Sequence, residues 1–343
     1  MRTQVWLSLL LALTLAAAPL AQAPARESAP TPPPFEEWLA ALRAEALAKG
    51  VSQPTVDAAL GSVERLPVVV ERDRTQAEIT LTLDQYLQRR VPPRAVRTAR
   101  EMARKHRAEL EQAAAQYGVA SQVIVAIWGL ESNFGRFQGV RPIVPALATL
   151  AYDGRRQTLF RDELFAALRI LDSGAVAPDA LKGSWAGAMG QSQFMPSSYL
   201  KWAADGDGDG RRDIWASLPD VFASIANYLK EHGWARDQRW GREVRLTGQT
   251  AARVAAAVPL RLTGACQAER GMTEARPLSE WRRLGVTQRS GARLPAGDLA
   301  ASLVRVDTRT FLVYGNYEAL LTYNCAHRYA LSIGVLADRI GTR

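Results

Sequence analysis

The sequence lacks most of the short motifs that mark a cofactor, a nucleotide or a catalytic metal. Its 343 residues contain no CxxC or HExxH pattern, no phosphate loop, no dinucleotide fingerprint and no Gly-x-Ser-x-Gly elbow. The three histidines are scattered along the chain. These absences argue against zinc proteases, nucleotide-dependent enzymes and serine hydrolases.

Cysteine is scarce. Only Cys266 and Cys325 are present. In an oxidising compartment the two could form a bridge between a loop and the C-terminal segment, and two buried free thiols are the alternative.

Long apolar runs are confined to the N-terminus. Met1-Arg2 is followed by the apolar run Val5–Leu20 and then by small residues, which predicts a signal peptide over 1–25. A Pro-rich linker follows over 26–34, and no cysteine near the cleavage site could carry a lipid anchor. No later stretch is long enough to span a bilayer. The pattern predicts export to the periplasm without a membrane anchor, the alternative being an uncleaved N-terminal anchor.

The charge balance is basic. A formal net charge of +9 and a pI near 9.9 favour a polyanionic partner such as nucleic acid, an anionic membrane or an acidic cell wall. No nucleic-acid-binding signature accompanies the charge, so we expect no nucleic-acid partner.

Helical periodicity covers most of the chain from Phe35 onward. The pattern predicts a mainly α protein with short strands at 243–262 and 301–306. The predicted helices cover 35–49, a second one after Ser52, 80–90, 95–117, a central helix after Ser121, 145–151, 157–173, 196–204, 218–232, and 316–340 with a break at Tyr323-Asn324.

The most informative stretch is VIVAIWGLESNFG, residues 123–135. Its apolar residues share one helical face, and Glu131 falls in the last turn, before the stop signals Asn133 and Gly135. Both the negative end of the helix dipole and apolar neighbours raise the pKa of a carboxyl group there. Glu131 is therefore a candidate general acid, the alternative being a solvated glutamate at a helix end.

Two further stretches contain residue types that are typical of ligand-binding sites. GSWAGAMGQSQFMPSSY, residues 183–199, mixes small residues with aromatic and amide side chains, which suits close approach to a sugar or, alternatively, a tight helix junction.

DGDGDGRRD, residues 205–213, matches the first part of a calcium loop. Ala216 occupies the position where such loops usually carry glutamate, and Asp220 could complete the ligand set. The candidate ligands are Asp205, Asp207, Asp209, Arg211, Asp213 and Asp220, with an acidic surface turn as the alternative.

Together these stretches resemble the lytic murein transglycosylase B family, glycoside hydrolase family 103. The matching segments are IWGLESNFGR, ATLAYDGRRQTLF, LKGSWAGAMGQSQFMPSSY, DGDGDGRRDIW, SIANYLKEHGW and YNCAHRYALSIG, in the family's order. The resemblance implies a lysozyme-like catalytic core with an additional α subdomain and a small β element. It divides the catalytic region 35–343 into an N-terminal α part (35–120), a core (121–235) and a C-terminal part that completes the cleft (236–343).

The resemblance also implies a reaction and a site. Glu131 would be the single acid and base that cleaves the MurNAc-GlcNAc bond of peptidoglycan without water, leaving a 1,6-anhydro end. No cofactor is needed for that reaction; a structural calcium ion at the Asp-rich loop and cell-wall remodelling proteins are the further partners considered. The implied substrate-binding residues are Ser184, Gln193, Tyr228, Tyr323, Asn324, Tyr329, Tyr86 and the basic pair Arg155 and Arg156. A hydrolytic muramidase and a non-catalytic calcium-binding wall protein remain alternatives.

Overall fold

The computed structural model describes residues 33–75 and 81–341. Within them the chain forms fifteen α-helices, which confirms the expected mainly α fold. The helices are α1 Phe35–Ala48, α2 Gln53–Leu60, α3 Pro67–Thr75, α4 Leu83–Arg90, α5 Pro93–Lys105, α6 Arg107–Tyr117, α7 Ser121–Ser132, α8 Ile143–Asp153, α9 Gln157–Asp172, α10 Pro196–Trp202, α11 Leu218–Glu231, α12 Gly248–Ala257, α13 Leu278–Leu284, α14 Gly315–Tyr323 and α15 His327–Gly341. The predicted signal peptide and residues 26–32 of the predicted linker lie outside the described residues.

Two of the predicted elements are wrong in their extent. The helix expected over 95–117 is divided at His106, whose backbone is not helical and whose ring packs edge-on against Trp128 of α7 and Phe222 of α11. The strand expected over 243–262 ends at Arg245. Beyond it, Thr247 caps the alanine-rich helix α12, in agreement with the high helix propensity of alanine.

The strands form two small sheets. The short pair β1 Arg141–Pro142 and β2 Lys182–Gly183 joins the segments on either side of α8 and α9. The larger sheet has the order β4-β6-β7-β3-β5 and antiparallel pairing, and is the expected small β element. Its strands are β3 Gly241–Arg245, β4 Arg276–Pro277, β5 Thr287–Gln288, β6 Ala300–Val306 and β7 Arg309–Val313. This sheet has an apolar cluster of its own around the fully buried Trp281.

The helix α7 lies at the centre of the main core. It packs against α5, α6, α11 and α15, and its residues 123–128 are all buried. The sequence pattern suggested one apolar face, whereas the structure buries the helix on every side. No single described helix is long and apolar enough to cross a membrane; only α6 and α7 taken together, bent by 113°, meet the same criteria.

The two cysteines form a disulfide. Cys266 and Cys325 are bonded across a sequence separation of 59 residues, with their Cα atoms 5.9 Å apart. Of the two alternatives left open by the sequence, the structure therefore has the bridge. It fastens the loop after α12 to the junction between α14 and α15.

Replacing both cysteines by serine should lower the free energy of unfolding by about 2–4 kcal/mol, since the bridge closes a long loop and restricts the unfolded chain. Denaturant unfolding monitored by circular dichroism measures the change. The oxidised wild-type protein and the same protein after reduction are the matched controls. Equal unfolding midpoints for all three would show that the bridge adds no stability.

Candidate active site

Glu131 is held at a sharply turned helix end. Asn133 and Phe134, directly after α7, both have left-handed backbone conformations, with φ of 50° and 59°. This turn folds the Phe134 ring back onto Trp128, with the ring centroids 5.4 Å apart. Gly129 makes the contact feasible, because a Cβ there would lie 2.6 Å from the Phe134 Cζ atom. These local contacts therefore fix the backbone conformation of the last turn of α7, which contains Glu131.

The Glu131 carboxyl group has a strongly perturbed pKa. Burial raises its pKa to about 7, while a hydrogen bond from Tyr329 and the charge of Arg90 act in the opposite direction. The Tyr329 hydroxyl donates to Oε1 of Glu131. Arg90 is anchored on the same turn by a 2.6 Å hydrogen bond from Nη2 to the Leu130 carbonyl oxygen. The carboxyl group is mostly protonated below neutral pH, as a general acid requires.

Three of the predicted tyrosines lie together near this carboxyl group. The ring centroids of Tyr228 and Tyr323 are 4.8 Å apart, and those of Tyr323 and Tyr329 are 6.5 Å apart. Tyr228 donates to the Thr322 carbonyl oxygen at 2.8 Å and Tyr323 to the Ser192 carbonyl oxygen at 2.7 Å. Burial raises the pKa of each of the three phenols, so they stay neutral hydrogen-bonding groups.

The glycine-rich segment uses its polar groups to shape a tight turn. The Ser184 hydroxyl accepts from the backbone N–H of Ala188 at 3.0 Å and from that of Ala186 at 3.3 Å. Gln193 has φ of 50° and donates from Nε2 to the carbonyl oxygens of Gln138 and Gly190. The segment thus forms a tight turn in which Ser184 and Gln193 are half-buried, and its predicted role toward a sugar stays a prediction.

Gln191 was not among the predicted site residues, yet it ties the same segment to α7. Its Oε1 accepts from Nε1 of Trp128 at 2.8 Å, and its Nε2 donates to the Trp215 carbonyl oxygen at 2.9 Å. Gly135 leaves room for this amide, because a Cβ there would lie 2.3 Å from Oε1. The only sequence signal for Gln191 was its place among the polar residues of the glycine-rich stretch.

The basic pair has a partner within the protein. Arg155 and Arg156 both form ion pairs with Asp73 of α3, whose side chain is 2% exposed. The two arginines thereby fasten α3 to the junction between α8 and α9. Their predicted role in substrate binding stays a prediction.

Tyr86 and Asn324, the two remaining predicted residues, lie far apart in the sequence. Tyr86 is half-buried on α4, one helical turn before Arg90 and therefore on the same face. Asn324 is exposed at the C-terminal end of α14, next to the disulfide.

A cavity of about 420 Å³ adjoins Glu131, and most of its lining residues were not predicted as site residues from the sequence. We call it the arginine cavity, because its lining includes Arg89, Arg90, Arg94 and Arg136 in addition to Glu131 and Phe137. Of the predicted catalytic and substrate-binding residues, only Glu131 lines it. The arginines share no common pattern in the sequence, since α4, α5 and the loop after α7 each contribute some of them.

Glu131 is the only carboxylate among the described residues that line this cavity. Two other acidic residues that follow Glu131 in the sequence have partners of their own. Asp153 pairs with Arg74 at 3.0 Å, and Glu163 accepts from the backbone N–H and hydroxyl of Ser197, where it caps α10. An ordinary glycosidase needs two carboxyl groups at a fixed separation, and this cavity offers one.

Three of the candidate metal ligands come together. Carboxylate oxygens of Asp205, Asp207 and Asp209 all lie within 4.8 Å of one another. Asp220 is not one of these three; it is buried, and its two oxygens accept from the backbone N–H groups of Gly206 at 2.7 Å and Asp213 at 2.6 Å, which closes the loop. Burial raises the pKa of Asp220, and the charges of Asp207 and Asp205 raise it further.

Asp213 and Arg211 also belong to the loop. Oδ1 of Asp213 accepts from the backbone N–H groups of Trp215 and Ala216, and Arg211 is exposed. Neither supplies a carboxylate oxygen to the group of three.

The comparison with protein families gives one match over nearly the whole chain. Residues 34–338 match the family described as transglycosylase SLT domain. The membrane-bound lytic murein transglycosylase B of Escherichia coli strain K12 is 34% identical over 230 residues, which is 65% of this chain and 58% of that protein. The chain thus spans a little over half the length of this relative.

Solved structures agree with the family match. SltB3 from Pseudomonas aeruginosa, in complex with NAG-anhNAM-pentapeptide, is 41% identical and superposes with a TM-score of 0.79 over 89% of this chain and 78% of its own. The Escherichia coli lytic transglycosylase Slt35 in complex with calcium is 26% identical, with a TM-score of 0.73 over 90% of this chain and 92% of its own.

Replacing Tyr329 by phenylalanine should raise the pKa of Glu131 further, by about one unit, because the hydroxyl group stabilises the charged carboxylate. Titration of the Glu131 carboxyl carbon by NMR, assigned with Glu131→Gln, measures it. Tyr228→Phe is the matched control, since the Tyr228 hydroxyl bonds to Thr322 rather than to Glu131. A pKa that stays constant or falls in Tyr329→Phe would contradict this account of the site.

Proposed function

The chain belongs to the family of transglycosylase SLT domains, and from that premise we propose that it is a lytic transglycosylase acting on peptidoglycan. The observation that supports this most directly is a single protonated carboxyl group, Glu131, with a pKa of about 7 in a cavity without a second carboxylate among its described residues. A relative with 41% identity was solved with an anhydro-muramyl peptide bound.

In the proposed reaction Glu131 acts twice. It first protonates the glycosidic oxygen between N-acetylmuramic acid and N-acetylglucosamine, so that the bond from C1 to this oxygen breaks. The substrate's own N-acetyl group assists the departure. The C6 hydroxyl oxygen then bonds to C1, and its proton passes to the Glu131 carboxylate. The products are a GlcNAc hydroxyl group and a 1,6-anhydro-muramyl end, and no water is consumed.

The surrounding residues support this double role. The Tyr329 hydroxyl donates to Glu131, which stabilises the carboxylate once its proton has been given up. Arg90 adds positive charge nearby for the same step. We assign Tyr228, Tyr323, Ser184 and Gln193 to binding of the sugar chain, while Tyr86 and Asn324 would contact it further out.

Exchange of Glu131 for glutamine should lower turnover of purified peptidoglycan by at least about 100-fold and leave folding and binding nearly intact, because only the transferable proton is lost. The soluble muropeptides are weighed before and after borohydride treatment. Wild-type products should be lighter by one water than hydrolytic products and should resist reduction.

Asp162→Asn is the matched control for this variant, since Asp162 is an exposed carboxylate nearby in the sequence. Reducible products, or an equal loss of activity in the control, would favour the hydrolytic muramidase. Wall binding without any products from the wild type would favour the non-catalytic scaffold.

We also propose that the Asp-rich loop binds one structural calcium ion. Two ligands at the usual calcium–oxygen distance of about 2.3–2.6 Å lie at most about 5 Å apart, and the oxygens of Asp205, Asp207 and Asp209 meet that condition. Calcium in the Slt35 complex supports the assignment. The carbonyl oxygen of Arg211 and the side chain of Asp213 are the remaining candidate ligands, whereas Asp220 would hold the loop closed.

Calcium should raise the melting temperature of the wild-type protein but have little effect on the double variant Asp207→Ala with Asp209→Ala, because those carboxylates would hold the ion. Melting curves with calcium and with a chelator measure the difference. Asp179→Ala, which removes an exposed carboxylate elsewhere, is the matched control. The same response to calcium in the double variant as in the wild type would rule out this ion site.

We also propose that the protein is exported and that its chain is divided into three parts. Periplasmic export rests on the apolar N-terminal run of the sequence. The division into parts at residues 120 and 235 is supported by the separate apolar cluster of the larger sheet, which lies wholly in the C-terminal part.

A further inference from the structure

We propose that a cavity beside the Asp-rich loop binds an uncharged sugar ring, as a second contact with glycan outside the site of Glu131. Its walls are the loop 173–176 after α9, Tyr199 of α10 and residues of the segment 210–216, and we call it the Trp215 cavity. Its volume of about 530 Å³ is within the usual range for a small-ligand site. It shares no lining residue with the arginine cavity and contains none of the predicted catalytic or substrate-binding residues.

The first argument is a buried hydroxyl group without a partner. Tyr199 is 2% exposed, and it lines the cavity. Its ring packs against Trp215, with the ring centroids 5.4 Å apart. Within the part of the chain that the structure describes, however, its hydroxyl makes no hydrogen bond. Because buried polar groups are normally hydrogen-bonded, this hydroxyl needs a partner from the cavity.

The second argument is a pair of arginines whose donors are also unused. Arg211 and Arg212 are exposed, and no carboxylate of the described residues lies within 4.0 Å of their guanidinium groups. Arg212 is held at the cavity by the Tyr199 ring, with its Cζ atom 5.6 Å from the ring centroid. Each guanidinium group offers several N–H donors in one plane, which suits a ligand with several neighbouring oxygens.

The third argument is the chemistry of the other walls. The backbone carbonyl oxygens of residues 173–176 accept no hydrogen bond from any described residue, so this wall offers acceptors. Trp215 and Val176 are half-buried and add apolar surface. A sugar ring matches this combination, because its hydroxyl groups both donate and accept hydrogen bonds and its apolar C–H groups pack against aromatic side chains.

The fourth argument is the local charge, which favours a neutral ligand over an anion. Asp205, Asp207 and Asp209 lie together in the loop that leads into the cavity, and Asp213 lines it. These four carboxylates outnumber the two arginines, and a single calcium ion in the loop would only bring the charges into balance. The local field therefore does not attract an anion in either state, whereas an uncharged sugar is not repelled.

The position of the cavity suggests what this contact does. The Trp215 carbonyl oxygen accepts from Nε2 of Gln191 at 2.9 Å and from Nε2 of Gln138 at 3.1 Å, so the cavity adjoins the glycine-rich segment. A glycan held there stays beside the protein and raises the effective concentration of strands near the active site. This inference goes beyond the proposed function, because binding in the Trp215 cavity does not involve Glu131.

The test is an NMR titration of the full-length, ¹⁵N-labelled wild-type protein with chitobiose, an uncharged disaccharide of N-acetylglucosamine. We expect saturable shifts of the Arg212 side-chain N–H and the Trp215 backbone N–H signals. Tyr199→Phe should weaken this binding about fivefold, since one neutral hydrogen bond is lost, and Arg212→Ala about tenfold. Arg212→Lys should recover part of the loss, since it keeps a donor but not the planar group.

The matched control is Arg305→Ala, which removes an exposed arginine from β6 and lowers the net charge equally. It should bind chitobiose at the Trp215 cavity as tightly as the wild type does. An equal loss in Arg305→Ala and Arg212→Ala would make the effect one of overall charge and overturn the inference. Shifts confined to residues around Glu131 would place the sugar in the active site alone and would also overturn it.

Inorganic phosphate is the second probe, because it separates a sugar site from a simple anion site. We expect phosphate to leave the same two signals unshifted at concentrations that saturate them with chitobiose. Phosphate that binds as tightly as chitobiose would overturn the assignment to a sugar. Since the titration requires no turnover, it decides this inference even if the proposed transglycosylase activity fails.

Discussion

The proposed acid–base role depends on keeping one carboxyl group, that of Glu131, out of water at the end of a buried helix. Desolvation there outweighs both the Tyr329 hydrogen bond and the charge of Arg90, and the net result is a pKa of about 7. Burial of α7 on all sides supplies the apolar surroundings. The two opposing interactions keep the ionised form accessible, and an acid that later acts as a base needs both forms.

The rest of the fold serves to bring distant segments to that helix end. Tyr329 lies 198 residues after Glu131 in the sequence and reaches it because α15 packs against α7. The disulfide holds the loop after α12 to the junction just before α15, and the second apolar cluster lets the larger sheet fold beside the main core. The tyrosine cluster and the arginine cavity both meet at Glu131, although they draw on different elements.

Residue type alone does not show which partner an arginine has. Arg155 and Arg156 look like anion-binding residues in the sequence, but the structure pairs both with the buried Asp73, where a charge without a partner would be costly. Arg89, Arg94 and Arg136 were not predicted as site residues, yet no carboxylate of the described residues pairs with them. The difference lies in the neighbours of each arginine, and neighbours that are distant in sequence leave no local pattern.

The sequence by itself determined the mainly α fold, the position of Glu131 in the last turn of α7 and the acidic loop at 205–213. These features follow from apolar periodicity, caps and turn residues, which act over a few positions. Only the tertiary structure decided the break at His106, the pairing of Cys266 with Cys325, the pKa of Glu131 and the existence of the arginine cavity. Each of these depends on burial or on contacts between segments far apart in the chain, and such contacts form only when the helices pack.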